Sequence, residues 1–391
     1  MNIAIIGAGL TGLVAGYRLS QKGHKVTIFE KSDDIGGLMG GFEIEGTSLE
    51  KAYHHIFSTD NYIIDLAKEL GVYKNISWHD DNVAVYYDGE MYPFMGAVDL
   101  LKFKPLSLLS KIRLGLVKIW LQMDNNWHKY ENVLAYEWMK KWCGQEAYKV
   151  IWEPLLRGKF HNKYKEVSMA WLWARIHTRG GAKLGYFEGG FKQIADKLAE
   201  KINKNGGEIK LKQAIDPTRL LRRDAPRKDD SLFDKVLYTG PSKEVEYIGA
   251  VELVFTSKQN LSPYYWHNIN DIKSPFLCFI QHTNLVDKKF YGNKQVYYLG
   301  YYGDENVSVD NWFEYLKEIF PKFDEKMVLQ KWVFRFKNAQ HIVTTNYKPS
   351  PYPSLDRAGF YTANFSQIYP EDRGTNFAVR EGEKVAKKMM L

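Results

Sequence analysis

A chain of 391 residues with 45% hydrophobic and 26% charged side chains can bury a large core, which excludes a disordered protein and leaves room for two intertwined domains. Its net charge of +8 is scattered rather than blocked and accompanies no nucleic-acid motif, so it points to an anionic cofactor, substrate or lipid and excludes a nucleic-acid partner. Two cysteines outside any C-x-x-C, Cys143 and Cys278, exclude a disulfide framework and a metal cluster, and no apolar run reaches the roughly 18 residues of a membrane span, so no metal and a cytoplasmic location are expected.

Asn2 to Ile6 is a short apolar run suited to a buried parallel strand, and Gly7, Gly9 and Gly12 follow it at G-x-G-x-x-G spacing. Leu13 to Ser20 continues with helical apolar spacing, and Val26 to Phe29 forms a second strand that ends in Glu30. This order predicts a dinucleotide-binding βαβ unit. Gly7 permits the tight turn, Gly9 lets a pyrophosphate approach the backbone, and Gly12 lets helix and strand pack closely. The loop formed by Gly7, Ala8, Gly9, Leu10, Thr11 and Gly12 would present helix N–H groups to phosphate. Glu30, with Lys31 beside it, falls near the position about 20 residues past the glycines where a carboxylate accepts from a ribose diol. Gly36, Gly37 and Leu38 follow; the doublet resembles the second glycine signature of flavoprotein oxidases and desaturases, which favours FAD over NAD. Residues 1–20 have no basic leading region, so a secretory signal is not expected there.

Further along, Thr59 or Asp60 caps a helix running to about Leu70, with Gly71 as its stop. Val83 to Tyr87, Asp88-Gly89 and Glu90 to Phe94 read as a hairpin with a type I′ turn. Residues 100–122 are long, apolar and basic; a buried core helix or substrate-tunnel wall is favoured there over a helix lying peripherally on a membrane. Helices are expected over 133–143, 145–156 and 169–177, and from Gly189-Gly190 to about Asn203. Strands are expected near 208–211, 236–238, 250–256, 276–283 and 295–302, and Ile215, just past the first of these, joins the cofactor contacts. Residues 214–233 read as a surface loop, 310–320 as a helix, 328–336 and 340–345 as extended, 359–364 as a strand and 376–390 as a closing helix. The expected division is 1–75, 185–249 and 351–391 for a cofactor-binding domain, with 76–184 mostly helical and 250–350 an antiparallel sheet, both serving the substrate.

The N-terminal motif, the Gly36-Gly37 doublet and the Gly185 to Phe191 segment before a helix resemble the FAD-dependent amine oxidase, protoporphyrinogen oxidase and phytoene desaturase superfamily. Residues 364–376 resemble its closing flavin motif, which assigns Asn364, Asp372, Gly374, Thr375 and Asn376 to the flavin. The resemblance implies an α/β fold with an α+β insertion: a Rossmann-like FAD-binding fold of the glutathione-reductase type plus an inserted substrate domain. It implies FAD as cofactor, and a hydride equivalent taken from a small-molecule substrate onto flavin. The stretch from His54 to Asn61 is similar to one in UDP-galactopyranose mutases, although Ser58 stands where those have a second histidine.

His54 and His55 are therefore candidate catalytic residues, orienting substrate or moving a proton, with a packed histidine beside the cofactor as the competing reading. Arg335 is a third catalytic candidate, and His341, Asn346 and Tyr347 are candidate cavity walls. Arg157 and Arg175 could hold an anion, though helix-surface or ion-pair roles are favoured for each; Asp372-Arg373 reads as an internal pair shaping the flavin loop. The functional expectation is an FAD-dependent oxidoreductase acting on an anionic sugar- or lipid-type compound. A flavin-dependent nucleotide-sugar isomerase and a non-catalytic flavin-bound protein are the alternatives, and the oligomeric state stays open.

Overall fold

In the computed structural model, residues 1–178, 180–217, 220, 233–353 and 358–391 are described, so most of the stretch expected to be a 214–233 surface loop lies outside the described residues. The chain opens with β1 (Asn2–Ile6), α1 (Leu10–Ser20) and β2 (Lys25–Phe29), then β3 (Gly41–Ile44), β4 (Thr47–Glu50), β5 (Ile56–Phe57), α2 (Asn61–Glu69) and β6 (Ile76–His79). The hairpin β7 (Val83–Tyr87) and β8 (Glu90–Pro93) leads into α3 (Ala97–Lys102), α4 (Leu108–Met123), α5 (Ala135–Cys143), α6 (Gln145–Ala147), α7 (Glu153–Phe160) and α8 (Met169–Thr178). Next come β9 (Leu184–Phe187), α9 (Lys192–Lys204), β10 (Glu208–Lys210) and β11 (Lys235–Tyr238). β12 (Tyr247–Ser257), β13 (Trp266–Ile269), β14 (Cys278–Gln281), β15 (Gln295–Gly303), α10 (Trp312–Ile319) and β16 (Val328–His341) precede β17 (Phe360–Thr362) and α11 (Thr375–Met390).

Three distant stretches of chain build one parallel sheet in the order β10-β2-β1-β11-β17, with Ile5 between Ile28 and Leu237. Ile3, Ala4 and Ile5 are fully buried, as a central parallel strand covered on both faces requires. α11 packs on α1 so closely that a Cβ on Gly382 would lie 2.8 Å from the Thr11 carbonyl oxygen, which ties the last helix to the first glycine loop. The second sheet, β16-β12-β15-β14-β13-β7-β8, is antiparallel except where β13 meets β7. Asp88 and Gly89 have φ of 51° and 78°, the left-handed pair of the expected type I′ turn. The two extended runs expected at 328–336 and 340–345 are largely one strand, β16, whose pairing with β12 shifts register between Ile248 and Ala250.

Residues 100–122 differ from the expectation. They divide into α3 and α4 around Pro105, and Ser107 caps α4 through its side chain. α4 buries only Leu114, Val117 and Leu121, so the buried-helix reading is corrected: most of this helix faces outward.

Candidate functional site

The glycine loop is shaped by what its neighbours leave no room for. A Cβ on Gly12 would overlap the Gly7 carbonyl oxygen, whereas one on Gly9 would meet nothing within 4 Å. Gly36 donates its N–H to the Ala8 carbonyl (2.8 Å), laying the second doublet along the first loop, and a Cβ on Gly37 would lie 3.2 Å from Gly9 Cα. α1 has Gly9 as N-cap, no side-chain cap and no acid in its first turn. Its first N–H groups and positive dipole end therefore face the open space before Gly9, a cradle that fits a pyrophosphate. Glu30 Oε2 accepts from Ala8 N (2.8 Å), and Oε1 accepts from Ser32 N (2.9 Å) and Ser32 Oγ (2.8 Å). Three bonds leave one of a carboxylate's roughly four lone-pair positions for a ribose hydroxyl. Lys31 is exposed, Leu38 lies half-buried in the turn Gly37–Met39, and Ile215 packs on the cluster of Ala4, Phe29 and Val236.

The antiparallel sheet, α7, α8 and the start of α11 line a cavity of about 930 Å³, within the size of a small-molecule site. The loop before β5 contributes Tyr53, His54 and His55; Gly374, Thr375 and Asn376 enter from the start of α11. That helix also begins on a glycine, Gly374, with no side-chain cap and no acid in its first turn, so its positive end is free to meet a ring that gathers negative charge. Asn376 Oδ1 accepts from Ile63 N (3.2 Å), and Asn364 caps the 3-10 turn Phe365–Gln367. His54 shares a hydrogen bond of 2.7 Å with the Ala52 carbonyl oxygen, and burial pulls its pKa down to about 4, so it is neutral at pH 7. His55 Nδ1 lies 3.3 Å from the Tyr265 hydroxyl, with the Phe57 and Trp266 rings edge-on at 5.2 and 5.9 Å.

The polar centre of the cavity is Asp372. Its Oδ2 accepts from Lys159 Nζ (2.8 Å) and from the Arg175 guanidinium, and its Oδ1 accepts from Trp171 Nε1 (3.2 Å) and Arg373 N (3.1 Å). The Arg373 guanidinium donates to the Tyr302 hydroxyl (2.9 Å), and the Asp372 charge also favours its charged form. Burial pushes the Lys159 ammonium down to about 7 against the opposing pull of Asp372. Glu252, in the middle of β12, is buried and lines the same cavity, and desolvation raises its pKa well above the ordinary carboxyl value. It faces Gly300 across the ladder, where a Cβ would lie 3.2 Å from Glu252 Oε2 and 3.0 Å from Tyr53 Cε1. The glycine makes the space that the acid and the tyrosine occupy.

Several of the residues that the sequence singles out fall elsewhere. Arg335 is exposed on β16 and donates to the Glu305 and Val307 carbonyl oxygens, so its catalytic assignment is corrected: β16 alternates faces and puts this residue on the outer one. His341 and Tyr347 pack with Phe365 and Tyr369 outside the cavity lining, and Asn346 is also absent from it. Arg157 pairs with Glu153 (2.9 Å) on the surface of α7. Sequence reasoning misses Lys159 and Glu252. Glu252 carries a signal, a lone acid within the apolar run 250–255; Lys159 carries none, because the groups around its ammonium, Asp372 and the Trp171 and Tyr302 rings, come from distant segments.

A family model described as flavin containing amine oxidoreductase matches residues 10–292. A 4,4'-diapophytoene desaturase of Staphylococcus haemolyticus is 45% identical over 62 residues, 16% of this chain and 12% of that protein. The chain spans less than half the length of the curated relatives it matches first. Among solved structures, an oxidoreductase from Methanosarcina mazei superposes with a TM-score of 0.74 at 18% identity, covering 99% of this chain and 100% of that one. A reduced UDP-galactopyranose mutase gives 0.75 at 15% identity, covering 100% and 95%. At these identities the likeness establishes the fold, α/β with an α+β insertion.

Proposed function

This chain belongs to the flavin containing amine oxidoreductase family and its cofactor is FAD, and from that premise we propose that it is an oxidoreductase acting on an organic substrate with an anionic group. FAD, when bound, supplies the acceptor for a hydride equivalent. In this reading Gly9, the first turn of α1 and Gly37 hold the pyrophosphate, Glu30 takes a ribose hydroxyl, and Gly374 to Asn376 set a helix N-terminus against the flavin ring.

The observation that carries the substrate reading is the cluster of cations at the buried polar centre of the cavity. Lys159 and Arg175 share the Asp372 carboxylate there, Arg373 stands beside them on the Tyr302 hydroxyl, and burial raises the Glu252 pKa, which disfavours its charge, while the neighbouring acid Glu371 is paired with Arg380. Adding an anion to such a cluster gains charge-assisted hydrogen bonds, and a neutral amine gains none. Tyr265, Trp266 and Tyr302 supply aromatic walls, and His55 positions the substrate or carries a proton from it. The test is anaerobic flavin bleaching by amines, sugar nucleotides and polyprenyl phosphates. Bleaching by phosphate-bearing compounds is expected, with KM raised on the order of 10²-fold in Arg373→Gln. A preference for neutral amines would remove this reading.

A second reading, net non-redox isomerisation of a nucleotide sugar, draws on the mutase-like stretch, of which His54, His55, Thr59 and Asn61 line the same cavity. It requires turnover that depends on prior reduction of the protein and leaves the product at the oxidation level of the substrate.

A further inference from the structure

The outward face of α4 is apolar. Leu108, Leu109, Ile112, Leu116, Ile119 and Met123 fall within an arc of roughly 100° at 3.6 residues per turn, and Leu109 and Met123 are 77% and 75% exposed. No polar residue of α4 shares that arc. Val98 and Leu101 of α3 are likewise exposed at its side. Isolated exposed leucines are ordinary, but a continuous stripe opposite the buried Leu114, Val117 and Leu121 is a surface that some partner covers.

The charge around the stripe identifies the partner. Residues 95–123 carry Lys102, Lys104, Lys111, Arg113 and Lys118 against one acid, Asp99. Lys111 and Lys118 run along one border of the stripe and Arg113 along the other, where its guanidinium caps the end of α5 through the Lys141 and Trp142 carbonyl oxygens. Trp120 and Trp142 meet edge-on at 5.0 Å beside it and are both partly exposed, the position indoles take at a headgroup boundary. A second copy of this chain would bring the same five cations against these five. An anionic lipid surface brings the opposite charge to the rim and an apolar medium to the stripe.

We propose that α3 and α4 dock this protein peripherally on an anionic bilayer, with the stripe of α4 in the acyl boundary and the lysines at the headgroups. Docking is superficial: among the described residues no helix is long and apolar enough to cross a membrane. Phe94, which lines the cavity, lies two residues before Gly96, the N-cap of α3.

The test uses the FAD-loaded protein and vesicles of phosphatidylcholine alone or mixed with phosphatidylglycerol. Wild type should pellet with the mixed vesicles and be released as ionic strength rises. Leu109→Glu/Leu116→Glu should weaken that binding by at least about ten-fold with an unchanged flavin spectrum and melting temperature. Lys111→Gln/Lys118→Gln should narrow the difference between the two vesicle types. The proposal is overturned if wild type stays in the supernatant with both vesicles, or if neither double variant changes pelleting. A wild-type dimer that Leu109→Glu/Leu116→Glu converts to monomer would also overturn it, assigning the face to a second copy.

Discussion

Substituting Gly9 separates cofactor binding from folding. Gly9 has φ of −70° and ψ of 170°, an extended conformation open to any residue, and its Cβ would meet no protein atom within 4 Å. Gly9→Val should therefore leave the apo fold intact, within about 0.5 kcal/mol. Its methyl groups would instead fill the space before the first turn of α1. If the pyrophosphate loses two charge-assisted hydrogen bonds at about 1.5–3 kcal/mol each, FAD affinity falls by roughly 10²- to 10⁴-fold. Gly12→Ala is the contrasting variant. Its Cβ overlaps the Gly7 carbonyl oxygen and lies 3.4 Å from Ile5 Cγ2, so the apo protein should lose about 1–3 kcal/mol or more to overpacking. FAD titration of the apo proteins by flavin fluorescence, with thermal melts of both, reads the two effects separately. Full flavin occupancy in purified Gly9→Val, or an apo melting temperature as low as that of Gly12→Ala, would refute the reasoning.

Deleting residues 370–391 removes α11 from α1 along with the buried Val379, Val385 and Met389, and should abolish FAD binding; a folded truncation with normal affinity would show the closing segment misread. Asp372→Asn leaves Lys159 and Arg175 facing each other without their carboxylate and should cost about 3–5 kcal/mol in urea unfolding, with a loss under about 1 kcal/mol arguing against a buried hub. His55→Ala should keep FAD bound and slow substrate-dependent bleaching by on the order of 10²-fold, whereas an unchanged rate would exclude proton transfer by this imidazole. Glu50 is fully buried, accepting from Phe191 N (2.6 Å) and the Tyr186 hydroxyl (2.7 Å), and burial raises its pKa from 4.5 to about 7. Between those pH values the folded state holds a proton that the unfolded state lacks, so this contribution is fully present below about 4.5 and is lost as pH rises through about 7. Glu50→Gln should flatten that part of the stability profile, and parallel profiles for the two proteins would count against it.

The sequence by itself determined the elements whose rules are local. Gly7, Gly9 and Gly12 between a strand and a helix, Glu30 at the end of the next strand, the Asp88-Gly89 turn and the closing helix are each specified by backbone conformations and periodicities written in a few consecutive residues. Tertiary structure alone decided which partners the polar groups of the cavity meet. Asp372 meets Lys159 across 213 positions of sequence, Glu252 is buried because Gly300 lies opposite it, and Arg335 points outward because of its place in the alternation of β16. The face of α4 was decided the same way. Its apolar residues are distributed round most of the helix, so composition favoured burial, but the packing of the neighbouring helices reaches only Leu114, Val117 and Leu121. Burial, charge partnership and direction into a cavity are properties of which distant segments meet, and a window of neighbouring residues does not encode them.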